Sequence, residues 1–354
     1  MKYEKITIHK YKGIKKPLII DFSKSNLIPI IECGKTTILE GLLAFDRFND
    51  NNYNRRHIEH IQNLYETKKS DILISAMISY NYDKLKTDLL KFVEDESNND
   101  DEDISEEEKQ NFRNYAIPKI AELKNQEKVE IFRLLNDFSY SFSSTKSIDF
   151  EDKLCKEIVR ISPFMLYFDD FRDDFNGYVK ITNTEEGEDV TTYLWYKIVN
   201  NLFEKTNPEF SISTYLNAGD QQKNILSDVT QYLNSILNKS WSNFSLEKGT
   251  PPVVEISKIV GGKLYFEIIE KIKEKGNSFQ KSRHFGLKER SKGFYWFFNF
   301  IMKLHFNPSK RYSRDKDTIY LLDEPGSYLH STAQKNLLVV SQEQKVEYIC
   351  YTIK

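Results

Sequence analysis

Two motifs at opposite ends of the chain constrain it more than anything else. Residues 32–41, ECGKTTILEG with Ile31 before them, end an apolar segment in a Gly-Lys-Thr-Thr turn; residues 318–330, TIYLLDEPGSYLH, run an apolar segment into Asp323 and Glu324. A strand, a glycine turn and a helix in that order make a phosphate grip, because backbone N–H groups curl round the phosphates and the helix dipole favours negative charge. An apolar strand opening into two carboxylates supplies what the grip lacks, a Mg2+ ligand and a base for water. If the two serve one site, the ends of the chain must come together across a long insertion.

The chemistry then assigns roles. Gly34, Lys35, Thr36 and Thr37 would bind the phosphates of ATP, with Lys35 reaching the terminal ones and the Thr36 hydroxyl ligating Mg2+. Asp323 would hold the same ion, directly or through water, and Glu324 would orient and deprotonate the attacking water. Taken alone, GKTT also fits a glycine-capped strand-to-helix turn, and DEPG a polar strand-end turn.

A third element is ERSKGF at residues 289–294, followed by YWFFNFIMKL. A Ser-x-Gly turn at a helix start is a second anion site, with Ser291 and the Gly293 backbone as donors. The competing reading is an ordinary helix cap at Ser291 before an aromatic core helix. Lys281, Arg283, Lys288, Arg290 and Lys292 make this approach basic, which suits phosphate, whether of ATP or of DNA.

Periodicity places these motifs. ITIHKYKGI and PLIIDF read as two strands of a meander, NLIPII as the next, buried strand, and TTILEGLLAFDRF as a helix. DILISAMISYNY alternates as a strand that extends the sheet. From about Leu85 to Phe138 apolar positions follow a helical period, predicting a helical insertion. Residues 94–108 within it carry ten acidic side chains and no basic ones, and read as a mobile linker. SPFMLYFDDFRD at 162–173 reads as a strand returning to the head, Thr191 to Asn238 as mixed helix, and residues 251–271 as a hairpin turning at Gly261 and Gly262. The expected division is 1–90 and 246–354 as the two parts of a head, 91–160 as a helical insertion with the acidic linker, and 161–245 as a returning strand with a second helical segment.

Setting the ten acidic residues aside turns the net charge of −2 into +8, compatible with a nucleic-acid partner and equally with a Lys-rich solvated surface. No run approaches the roughly 20 apolar residues of a membrane helix, and MKYEKITIHKYKG lacks a signal-peptide core. A cytoplasmic protein without membrane contact is expected. Cys33, Cys155 and Cys350 are too scattered for a metal or disulfide pattern and read as free thiols. His57 and His60 flank Glu59 without a third ligand, and the Asp169, Asp170, Asp173 and Asp174 cluster around Arg172 reads as a salt-bridged turn rather than a second Mg2+ site.

ITIHKYKGI, GKTT, LYFDDFRD, ERSKGFYWFFNF and LLDEPGSYLH together resemble the ABC-like ATPases of the OLD (overcoming lysogenization defect) family and their RecF- and SMC-type relatives. The resemblance spans both ends of the chain but not its middle. It implies an α/β ABC-type ATPase head, a mixed sheet flanked by helices with helical insertions, that dimerises or assembles further around ATP and Mg2+. In such heads the Ser291–Gly293 signature meets the terminal phosphate bound to the opposite subunit. It also implies DNA processing or antiphage defence, with DNA as a partner and a Toprim or HNH-type nuclease as a further domain or separate partner. The alternatives are a non-hydrolysing nucleotide-regulated scaffold that recruits an effector, and a RecF- or SMC-like repair ATPase. Two departures stand out. The family loop reads GxxxxGKT, whereas here Pro29 takes the place of the first glycine and no glycine lies between Gly13 and Gly34. Three residues of the kind Gly-x-Asn between Ile31 and Glu32 would restore it. The strand KVEYICYT ends without the Thr-Thr-His of the family, so the resemblance implies that the switch His and any nuclease domain lie beyond Lys354 or are lost; His330 fits better as a contact to a partner subunit.

Overall fold

The computed structural model describes residues 1–24, 27–30, 34–46, 72–98, 105–145, 148–169, 175–182, 189–244, 252–259, 261–273, 280–306, 318–323 and 346–352. The fold is mixed α/β, and the chain divides into two compact units: Met1–Phe168 with Ser313–Glu324 and Lys345–Lys354, and Asp169–Tyr312 with Pro325–Gln344.

The first unit holds two sheets. One is antiparallel, in the order β2-β1-β4-β5-β6, built from β1 (Lys2–Ile8), β2 (Leu18–Asp21), β4 (Leu73–Ser79), β5 (Lys128–Leu134) and β6 (Ser139–Ser141). Its inward face follows the two-residue period of a strand: Ile74, Ala76 and Ile78 of β4 and Val129 and Ile131 of β5 are buried. In β1 the period breaks between Tyr3 and Ile6, and the register shift there lets both point inward. Helices α2 (Tyr82–Ser97), α3 (Glu106–Glu122) and α4 (Asp149–Ile161) add Leu85, Leu89, Phe112, Ala116, Leu154 and Ile158 to the same core.

The second sheet runs β3-β13-β12-β7, with β3 (Leu27–Ile30), β7 (Phe164–Asp169), β12 (Thr318–Asp323) and β13 (Val346–Thr352). β13 is parallel to both β12 and β3, so the last strand of the chain lies between the strand before GKTT and the strand that ends in Asp323. Proline is tolerated at Pro29 because β3 lies at the edge of this order, where a missing N–H can face away from the ladder. Helix α1 (Lys35–Leu43) follows and packs on β1, β12 and β13.

The second unit contains β8 (Tyr178–Lys180), helices α5 (Leu194–Thr206), α6 (Ile212–Asn217) and α7 (Gln222–Phe244), strands β9 (Val253–Ile259), β10 (Lys263–Lys273) and β11 (Gln280–Gly286), and helix α8 (Lys292–Phe306). β10 is central: β9 pairs along one edge, β8 and β11 along the other. The β9–β10 hairpin turns at Gly261 (φ 99°) and Gly262 (φ 67°), both left-handed, as a two-glycine turn allows. Phe175, Trp195, Phe266 and Phe298 form an aromatic core, with ring centroids 4.3, 5.4 and 5.9 Å from Phe175.

Three expectations change. The helical reading of Leu85 to Phe138 fails at Lys128, where KVEIFRL alternates and joins β4 as a sheet strand. The acidic run is not all linker. Residues 94–97 are the last turn of α2, and Glu106, Glu107 and Glu108 form the first turn of α3, where the helix dipole favours carboxylates and Ser105 and Glu108 make a capping box. Residues 284–291, HFGLKERS, whose polar character predicts a loop opening the aromatic helix, begin instead as strand: β11 pairs with β10 from Gln280 to Gly286. Among the described residues no helix is long and apolar enough to cross a membrane.

Candidate functional site

The connection from β3 to α1 is residues 31–34, and of these only Gly34 is described. Gly34 adopts φ 84°, ψ 27°, a left-handed conformation that a side chain would strain although space for one is ample. It turns the chain directly into α1, whose first turn is Lys35, Thr36 and Thr37. That turn has no acidic residue and no side-chain cap, and a helix start of this kind with the Lys35 ammonium suits an anion.

Position and chemistry meet at Asp323, the last residue of β12. The Thr36 hydroxyl donates to Asp323 Oδ2 at 2.6 Å, across 287 residues of sequence. Strands in a sheet lie about 4.8 Å apart, so with β13 between them β3 and β12 are separated by roughly 10 Å. The first turn of α1 reaches across that gap, bringing the Thr36 hydroxyl to Asp323. Tyr167 of β7, the strand on the other side of β12, donates its hydroxyl to the same Oδ2 at 3.2 Å.

These groups fit Mg2+ and a nucleotide phosphate. A threonine hydroxyl that gives its single hydrogen to a carboxylate keeps lone pairs for a cation, and hydroxyl and carboxylate oxygens are the hard ligands Mg2+ takes, few from protein and the rest from phosphate and water. Among the described residues no group of three or more His, Cys, Asp or Glu side chains could hold a metal.

The far end of α1 is fixed by groups that sequence reading missed. Arg133, 1% exposed, donates from Nη1 to the Ala44 carbonyl at 2.6 Å, and Tyr140 donates to the Phe45 carbonyl at 2.6 Å. The Arg133 guanidinium also lies 4.7 Å from the Tyr140 ring centre. Asp46 Oδ2 accepts from the Met165 N–H of β7 at 2.8 Å. Midway along the helix, buried Glu40 pairs with Lys12, and a Cβ on Gly41 would come within 2.7 Å of Ile8 Cδ1, so α1 sits hard against β1. An arginine at an inward position of the alternating segment KVEIFRL was the available signal for Arg133. Tyr167 had none, since LYFDD reads simply as an apolar strand.

Ser291 and Gly293 belong to the second compact unit. Ser291 acts as a cap, its Oγ accepting from the Phe294 N–H at 3.3 Å, so the helix-cap reading holds for its side chain. Gly293 lies in the first turn of α8. Tyr295, one turn in, donates to the Phe175 carbonyl at 2.6 Å, and Lys288 donates to Asn176 Oδ1 at 2.9 Å. Arg283, Lys288 and Lys292 are exposed on this approach, and Arg290 lies over the Phe285 ring. Glu324, His57, His60 and His330 lie outside the described residues, as do Asp170, Arg172, Asp173 and Asp174. Of the cysteines, Cys33 is likewise outside; Cys155 is a buried free thiol.

The sequence matches no protein-family description and no curated protein. Among solved structures it is similar to one described as the SmcHead bound to the C-winged helix domain of ScpA, at 14% identity and a TM-score of 0.49, covering 100% of this chain and 90% of that one. It is also similar to the SMC head domain from Thermotoga maritima, at 10% identity and a TM-score of 0.40, again over 100% of this chain and 90% of that one. Likenesses this distant carry no argument about what the chain does.

Proposed function

We propose that the chain is an ABC-type ATPase head that binds ATP with Mg2+ and hydrolyses it. One observation carries the reading: the hydroxyl of the GKTT motif and the carboxylate of the LLDEP motif, distant in sequence, stand 2.6 Å apart at the start of a helix with an uncapped, cationic first turn. Lys35 and the first-turn N–H groups would hold the terminal phosphates. Thr36 and Asp323 would hold Mg2+, which supplies charge neutralisation at the phosphate oxygens. Glu324, next in the chain, would take the proton of the water that attacks the terminal phosphorus as the bond to the bridging oxygen breaks. The Ser291–Gly293 turn of a second copy would complete the site, making the ATP-bound state a dimer.

Two outcomes test this. With MgATP, Glu324→Gln protein should accumulate as a dimer by light scattering; monomers at saturating nucleotide would end the shared-site mechanism. Lys35→Ala should abolish nucleotide binding, and unchanged affinity would remove GKTT from the site.

The narrower reading, an OLD-like DNA-processing or antiphage defence protein working with a nuclease domain or partner, is supported by the order and wording of the sequence motifs. Turnover stimulated by duplex DNA is its first expected sign. A second reading, a nucleotide-regulated scaffold that does not turn ATP over, is favoured by the shortness of the connection at residues 31–34, which offers few N–H groups to wrap phosphates. Inserting Gly-Ala-Asn between Ile31 and Glu32 should then raise nucleotide affinity at least tenfold; a wild-type protein that already turns over briskly, with turnover lost in Glu324→Gln, would dismiss the scaffold.

A further inference from the structure

We propose that Tyr167 is a positioning residue for Asp323, holding its carboxylate in the orientation that receives Mg2+; the role rests on the reading of Thr36 and Asp323 as the Mg2+ site. From Phe164 to Phe168 the other residues of β7 are apolar, with Phe164, Met165, Leu166 and Phe168 all buried. Packing alone asks for a hydrocarbon at 167, and a phenylalanine would serve. The residue is instead a half-buried tyrosine whose hydroxyl donates to Asp323 Oδ2 at 3.2 Å.

The second donor matters because of the softness of an aspartate. The terminal torsion of Asp is broad and roughly two-fold, so a strand-end carboxylate is not held by its rotamer well. Thr36 reaches Oδ2 from α1 and Tyr167 reaches it from β7. Two donors from separate elements on one oxygen restrain the carboxylate more firmly than either does alone. The two are not equivalent. Thr36 is itself a candidate ligand, and its geometry must answer to the cation as well as to Asp323. Tyr167 stands on a buried strand of the same sheet as Asp323 and makes its contact without any such demand. Partners of this kind, which hold a ligand without touching the metal, commonly change metal affinity tenfold or more when lost.

The experiment is a Mg2+ titration of fluorescent ATP-analogue binding to the full chain, wild type against Tyr167→Phe, repeated in EDTA and in an Asp323→Asn background. The half-saturating Mg2+ concentration should rise about tenfold or more in Tyr167→Phe. Nucleotide affinity in EDTA should stay within about twofold, and Tyr167→Phe should add nothing once Asp323 is Asn, since a positioning residue acts only through the group it positions. A half-saturating Mg2+ unchanged in Tyr167→Phe overturns the proposal. So does an equal loss of affinity with and without Mg2+, which would mark a merely structural role. If wild-type protein binds the nucleotide without any response to Mg2+, the site reading falls and this role with it; if wild type responds and Tyr167→Phe matches it, the role alone falls.

Discussion

Replacing Thr36 by valine separates the two tasks given to its hydroxyl. Valine nearly matches threonine in shape, so what is removed is one oxygen: the donor to Asp323 at 2.6 Å and the candidate Mg2+ ligand. Hydrogen bonds to charged groups contribute about 1.5–3 kcal/mol. Asp323 is only half-buried, so water can replace the donor, and Tyr167 still donates to the same oxygen. The nucleotide-free protein should therefore lose no more than about 1 kcal/mol, a fall of roughly 1–2 °C in Tm for a chain of this length. Mg2+-supported binding should suffer more, because valine offers no lone pair. A loss of about 10–100-fold in nucleotide affinity is expected with Mg2+ present, equivalent to about 1.4–2.7 kcal/mol. The assay is titration of a fluorescent ATP analogue with Mg2+ and with EDTA, alongside thermal melting. If Thr36→Val weakens binding equally in EDTA, the hydroxyl does not serve the metal. If melting drops by ten degrees or more, the hydroxyl is mainly structural and does not mark a Mg2+ site.

Gly262 is closely approached in the second unit: its φ is 67°, and a Cβ there would fall 1.8 Å from Thr182 Oγ1 and 3.0 Å from Thr182 Cβ. Gly262→Ala should cost about 2–4 kcal/mol, combining a left-handed alanine with crowding against β-branched Thr182; a loss below about 0.5 kcal/mol in urea unfolding would contradict the turn geometry. The protein should also weaken in alkali. Burial, with Glu151 and Asp152 beside it, pushes the Cys155 thiol well above its ordinary 9.0, and burial first, then Glu151, pushes the Tyr115 phenol from 10.0 up to about 12. Both acids ionise more readily unfolded, so their contribution is complete below pH 9 and is lost as pH rises from there towards 12. Melting temperature should fall across that window, and Cys155→Ala should flatten its early part; an unchanged slope would remove Cys155 from the account.

The sequence by itself marked the segments on which the proposed site rests. Glycine before a helix, lysine and threonine in its first turn, and carboxylates at the end of an apolar strand are local requirements, set by backbone conformation and functional-group type, and they are readable one segment at a time. The hairpin at Gly261 and Gly262 was legible for the same reason: its turn needs positive φ at both positions and only glycine adopts it freely. Reading failed where a segment's state depends on what lies beside it. Lys128 to Leu134 is short enough to fit either period, and pairing with β4 made it a strand. The acidic run looked like linker because charge alone was counted, whereas at each end it continues or begins a helix whose other residues pack into the core. Only the tertiary structure decided that β13 separates β3 from β12, that Thr36 reaches Asp323 across the gap, and that Tyr167 arrives from the far side. Contacts between strands distant in sequence are fixed by sheet order and by the angle at which α1 crosses it, and no local pattern of residues encodes either.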